Sequence, residues 1–118
     1  MLNSTLEIVV TTDKAFKLAD FFGNLDSYSL KEKKHEIVAL SQNLEYEYLV
    51  FNLQNLNFIN SESIGLFLQT HETVVAQGKK FVLMAAKKNV YDVLNVIGLL
   101  ETIPYFRTKD DFLKNLNK

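Results

Sequence analysis

Candidates for catalytic chemistry are few in this 118-residue chain. The two histidines, His35 and His71, are the natural general bases or metal ligands, but neither has a carboxylate or cysteine at a spacing typical of a metal motif or a triad. His71 follows Phe67 by four residues and Leu68 by three, which places it on or beside an inward helical stripe, where a boundary histidine is expected. His35 follows Lys31-Glu32-Lys33-Lys34 and belongs to a solvated charged face. Glu45 with Glu47, and Asp110 with Asp111, could be acid pairs, yet each pair sits in a polar stretch without the apolar surroundings that acid–base catalysis needs. The four glycines, at positions 23, 65, 78 and 98, are too widely spaced for a phosphate loop or a dinucleotide fingerprint. The chain therefore reads as a non-enzyme that needs no cofactor.

Composition narrows the partners. Hydrophobic residues at 47% and charged residues at 23% are globular proportions, and a chain of this length buries over ~60% of its unfolded surface in one core. A single domain over residues 1–118 is expected. The net charge of −1 offers no broad positive field for phosphate backbones or anionic lipid, so nucleic acid is not an expected partner. With no cysteine, the chain has no disulfide and no thiolate, which suits a reducing compartment. Met1-Leu2-Asn3-Ser4-Thr5 lacks a basic region followed by an apolar stretch, and no window approaches the ~18 apolar residues of a membrane span. A cytoplasmic protein without membrane insertion is the expectation.

These side chains must be positioned by alternating strands and helices. Leu6 to Val10 and Ala15 to Ala19 read as an opening hairpin, and Gly23-Asn24 as a break before a helix capped by Asp26 or Ser27 that runs to about Gln42. Leu30, Ile37 and Leu40 give that helix a ragged inner stripe. Tyr48 to Phe51 is nearly continuous in apolar residues, as a strand covered on both faces requires. From Ser61 to Gln77, Ile64, Phe67, Leu68, Val74 and Val75 recur at helical steps before Gly78. Phe81 to Ala85 repeats the strand, and Val90, Val93, Leu94 and Ile97 repeat the helix before Gly98. A last strand near Ile103 to Arg107 precedes a terminal helix that starts at Asp110 and buries Phe112, Leu113 and Leu116. The fold class is α/β, a mixed and mostly parallel sheet of about five strands with about four helices.

Three spaced segments carry a resemblance. Leu49-Val50-Phe51-Asn52-Leu53-Gln54-Asn55-Leu56-Asn57-Phe58-Ile59-Asn60-Ser61-Glu62-Ser63-Ile64-Gly65-Leu66 resembles the signature of the STAS family of anti-sigma-factor antagonists: an apolar strand, a short loop, then Asp-Ser-Ser/Thr-Gly-Leu-Gly opening a helix. Gly23-Asn24-Leu25-Asp26 is similar to the family's Gly-x-Leu-Asp, and Ile97-Gly98-Leu99-Leu100 to its Gly-Leu before the last strand. The resemblance implies a STAS-like fold and a regulatory binding protein in a partner-switching pathway. Its partner would be a GHKL-type serine kinase that doubles as anti-sigma factor, and a phosphatase would reset it; ATP would belong to the kinase.

The same resemblance implies that Ser61 is the phosphoacceptor and that Asn60, Ser61, Glu62, Ser63 and Leu66 bind the partner; apart from it, Leu66 and Tyr28 read as surface residues that can add apolar contacts. A serine at a helix start sits beside unpaired N–H groups and the positive dipole end, where a phosphate is well tolerated. The simpler reading makes Ser61 a helix-capping serine. This chain departs from the family at Asn60, where the family has Asp, at Glu62, where it has Ser or Thr, and at Ser63, where it has Gly. Asn60 keeps the ability to cap, and Glu62 adds a negative charge beside Ser61. Asn60 and Glu62 favour the alternative, a STAS subunit that is never phosphorylated and has a structural or assembly role in a signalling or membrane-transport complex. A small enzyme or nucleotide-binding domain is the third reading.

Overall fold

The computed structural model describes residues 5–116; Met1 to Ser4, and with them most of the stretch read as carrying no leader, lie outside the described residues. The opening hairpin is formed by β1 (Leu6–Thr12) and β2 (Phe16–Leu25), paired antiparallel. After α1 (Ser27–Ser41) come β3 (Tyr48–Asn52), β4 (Leu56–Ile59), α2 (Ser61–Ala76), β5 (Lys80–Met84), α3 (Lys88–Val96), β6 (Tyr105–Phe106) and α4 (Lys109–Leu116). Strand order is β1-β2-β3-β5-β6, with β4 paired to β2 off that path, and every pairing after the hairpin is parallel. The α/β class and the mixed, mostly parallel sheet are as the sequence implies.

The near-continuous apolar run of β3 is explained by its place at the centre of that order. Leu49 and Phe51 face one side and Tyr48 and Val50 the other, and all four are buried. Three helices, α1, α2 and α3, cover the first face. Their Leu30, Ile37, Phe67, Val74, Val90 and Leu94 pack on a sheet surface in which Phe51 meets Phe21 and Phe81 at ring-centroid distances of 4.7 Å each. On the opposite face α4 lays Phe112 against Phe16, Tyr48 and Phe106 at 5.4–5.6 Å. Burial of one such ring contributes about 1.5–3 kcal/mol, and Leu113 and Leu116, half-buried against the same cluster, add to what holds this eight-residue helix.

Several expectations change. Gly23 and Asn24 do not break the chain; they lie inside β2, where the register toward β4 shifts between them. A Cβ on Gly23, whose φ is +114°, would stand 2.0 Å from the Thr5 carbonyl oxygen, so glycine alone lets β1 approach β2 there. β4 was not legible because its core-facing residues are only Leu56 and Ile59, with Asn57 and Phe58 exposed between them. The last strand is two residues rather than the five from Ile103 to Arg107, and the final helix begins at Lys109, with Thr108 Oγ1 accepting from the Asp111 amide. Leu68, Val75, Val93 and Ile97 sit on helical steps but face solvent, because the buried arc of each helix is narrower than its apolar arc.

The two contrasting glycines give a test. Gly23→Ala is expected to lower stability by about 1–3 kcal/mol through clash and backbone strain, whereas Gly65→Ala, with nothing within 4 Å of its added Cβ, raises it by about 0.5–1 kcal/mol. Urea unfolding of both variants measures the difference, and equal midpoints would contradict the close-approach account.

Candidate functional site

The end of β2 sets the site. Its residues Gly23 to Leu25 pair with β4, which leads directly into Asn60 and α2, while Leu25 itself leads into Asp26 and α1. The Asn60 amide donates to the Leu25 carbonyl at 3.0 Å, so the N-terminal ends of the two helices start side by side at the carboxyl edge of the strands. Each start is closed by its own side chain. Asp26 Oδ1 accepts from the Ser29 amide at 2.8 Å, with Ser29 Oγ returning to the Asp26 amide, and Asn60 Oδ1 accepts from the Ser63 amide at 2.9 Å.

Within the second start, the four consecutive residues expected to act together separate into two kinds. Ser63 is fully buried; its Oγ lies 2.7 Å from Asn60 Oδ1 and 3.4 Å from the Leu25 carbonyl oxygen, so it belongs to the packing beneath the helix start. At 0% exposure its hydroxyl is out of a kinase's reach. Ser61 and Glu62 are exposed. Ser61 is the first helical residue rather than the cap, a duty that Asn60 performs, and its hydroxyl makes no hydrogen bond among the described residues. The capping-serine reading is therefore overturned by Asn60. The amides of Ser61 and Glu62 belong to the orphan donors of the first turn and point outward beside that hydroxyl.

Beside Ser61 the two helices leave a groove of about 200 Å³, lined by Leu30 and Lys34 of α1 and by Glu62, Gly65, Leu66 and Gln69 of α2. Leu66 was expected as an exposed apolar contact; at 5% exposure it is instead the floor of this groove. Tyr28 does stand out, at 40% exposure, on the first turn of α1. Sequence reading missed Lys34 and Gly65. Lys34 looked like one more charge of a solvated run, and Gly65 was considered only as too isolated for a phosphate loop and as part of the quoted segment, yet both line the groove, where Lys34 brings a positive charge across from Glu62. Phe58, 48% exposed two residues before Asn60, was also missed.

The remaining candidates do not converge on this place. His35 is exposed on α1, as expected, and His71 is half-buried with its ring 6.4 Å from Phe81. Glu45, Asp110 and Asp111 are exposed, and Glu47 pairs with Lys80 at 3.5 Å on the surface. Among the described residues no group of three or more His, Asp or Glu side chains could hold a metal ion, and no helix is long and apolar enough to cross a membrane. The site thus offers an exposed nucleophilic hydroxyl at a helix start, a neighbouring carboxylate and a shallow groove: a surface for recognition or modification.

A family model described as STAS domain matches residues 7–112. The anti-sigma F factor antagonist of Paenibacillus polymyxa is 21% identical over 111 residues, covering 94% of this chain and 95% of its own. Among solved structures, an anti-sigma factor antagonist from Mycobacterium paratuberculosis superposes with a TM-score of 0.85 at 19% identity, covering 99% and 98% of the two chains. The Bacillus cell fate determinant SpoIIAA in its phosphorylated form gives a TM-score of 0.69 at 16% identity, covering 93% of this chain and 99% of that one.

Capping and modification make separate demands on stability. Asn60→Ala is expected to cost about 0.5–2 kcal/mol and Ser63→Ala about 1–3 kcal/mol, since it strips a buried partner from Asn60. Ser61→Ala should stay within about 0.5 kcal/mol of the parent. Chemical denaturation of the three variants decides it; a Ser61→Ala loss as large as that of Asn60→Ala would return Ser61 to a capping role.

Proposed function

The chain belongs to the STAS domain family, and on that premise we propose that it is a regulatory binding protein of the anti-sigma-factor-antagonist type whose partner contact is switched by phosphorylation of Ser61. The observation that carries this reading is the separation of duties at the start of α2. Asn60 closes the helix and Ser63 packs beneath it, leaving the Ser61 hydroxyl exposed and without an internal partner. A group that structure does not use is free for a kinase.

The physics of the switch follows from that position. A phosphate on Ser61 would meet the outward amides and the positive end of the α2 dipole, so the fold tolerates it. It would also add about −1.5 to −2 charges next to Glu62, on the rim of a groove whose cation is Lys34. A partner surface matched to the unmodified site would bury that charge without compensation at a cost of roughly 3–5 kcal/mol, two to three orders of magnitude in affinity. Proteins of similar fold are named anti-sigma factor antagonists, and one of them, SpoIIAA, exists in a phosphorylated form; both facts support the reading. The expected partner is a serine-kinase anti-sigma factor that supplies its own ATP, acting in the cytoplasm.

A second reading has its own observation. Glu62 is exposed and already places a permanent negative charge one residue from Ser61, where the family has a hydroxyl. On this reading the surface is fixed in one state, Ser61 is never modified, and the protein serves as a constitutive assembly module.

Intact-mass spectrometry of the protein from its native cells, with fragment mapping, separates the two. A gain of about 80 Da for one phosphate at Ser61, absent from Ser61→Ala, is expected. Ser61→Asp should then recover the partner of the parent protein at least about a hundredfold less efficiently. An unmodified Ser61 under every growth and stress condition overturns the switch and leaves the constitutive module.

A further inference from the structure

β1 is the outermost strand on the hairpin side of the sheet, and among the described residues only β2 pairs with it. The ladder decides where its backbone groups point. The Asn24 amide donates to the Thr5 carbonyl and the Asp13 amide to the Phe16 carbonyl, so the odd-numbered residues of β1 turn their N–H and C=O toward β2 and the even-numbered ones turn theirs away. Ile8, Val10 and Thr12 therefore hold their main-chain groups toward the open side, where no hydrogen bond among the described residues takes them. The side chains around those groups are accessible. Val9 is 46% and Val10 42% exposed, Thr11 and Thr12 are exposed, and Ile8 is half-buried.

Sheet edges are ordinarily guarded by brevity, lysine, proline or a bulge. At the far side of this sheet the guard is brevity, since β6 has two residues. β1 has seven, with neither lysine nor proline among them, and its register against β2 runs without a bulge. A net charge of −1 puts little repulsion between whole copies of the chain.

The strand also matches itself. Run antiparallel about a two-fold axis through Val9, Ile8 of each copy stands opposite Val10 of the other, and each pair exchanges both of its N–H···O bonds. Val9 then faces Val9, and Glu7 faces Thr11, whose hydroxyl is a donor for the carboxylate. Centring the axis on Val10 instead would set Glu7 against Asp13 of the second copy, like charges directly opposite. Apolar matching and charge thus select one register.

We propose that β1 is the interface of a symmetric homodimer, in which two β1 strands pair antiparallel across Val9 and join the two sheets into one. At Gly23, β2 carries β1 on one side and β4, which leads into α2, on the other. Pairing at β1 therefore leaves both Ser61 surfaces open, and the dimer offers a partner two of them at once.

Sedimentation velocity of the full chain, from about 1 μM to about 1 mM, tests this. The parent is expected to pass from monomer to dimer over that range. Val9→Lys and Val9→Glu each put like charges opposite one another on the axis, and each should weaken the dimer about tenfold or more at low salt. Val96→Lys, on the exposed side of α3, should change nothing, and neither should Ser61→Asp. Mixing Val9→Lys with Val9→Glu should restore a dimer of mixed composition, which misfolded variants could not form. A chain that stays monomeric up to about 1 mM, a dimer indifferent to both Val9 substitutions, or a mixture that associates no better than its components would each overturn the pairing across Val9.

Discussion

One hydrogen bond, from the Asn60 amide to the Leu25 carbonyl at 3.0 Å, ties the start of α2 to the end of β2, and the geometry of the recognition surface depends on it. It spans a helix and two strands of sequence, so it is meaningful only if β2 ends where it does. That in turn requires Gly23, because β2 must stay close to β1 at Thr5 while shifting its register to receive β4. A conformational property of one residue without a side chain thus decides where a hydroxyl 38 positions later is displayed.

The sheet distributes its constraints unevenly. Its centre is closed on both sides by aromatic packing around Phe51 and Phe112, which fixes strand order and leaves little freedom for motion. Its carboxyl edge is where two helix starts meet solvent, with the orphan amides of their first turns beside an exposed hydroxyl.

Much of this was legible in the sequence. Helical spacing located α2 and its start at Ser61, the unbroken apolar run located the central strand, and the quoted motifs pointed to the family. What escaped has a physical cause in each case. β4 is too short to show a period and is held by β2 rather than by its sequence neighbour β3. The burial of Leu66 and Ser63 depends on how closely α1 and α2 approach, which no local pattern records. Gly23 read as a break because glycine serves both turns and close backbone contacts, and only the position of Thr5 distinguishes them. The narrow buried arcs of α2 and α3 exposed Leu68 and Val93 despite correct helical spacing.

Ser63 occupies a space in which the family pattern has glycine, and its oxygen rests on the amide oxygen of Asn60, which stands where that pattern has aspartate. The two departures are one arrangement: the hydroxyl supplies a donor to the carbonyl of Asn60, and that carbonyl in turn satisfies a donor sealed from water. The dependence runs one way: without Asn60 the buried Ser63 hydroxyl keeps only its 3.4 Å contact to the Leu25 carbonyl, whereas without that hydroxyl Asn60 Oδ1 still accepts from the residue 63 amide. The helix cap and the side chain packed beneath it are therefore separable, and the surface at Ser61 can change while the cap stays.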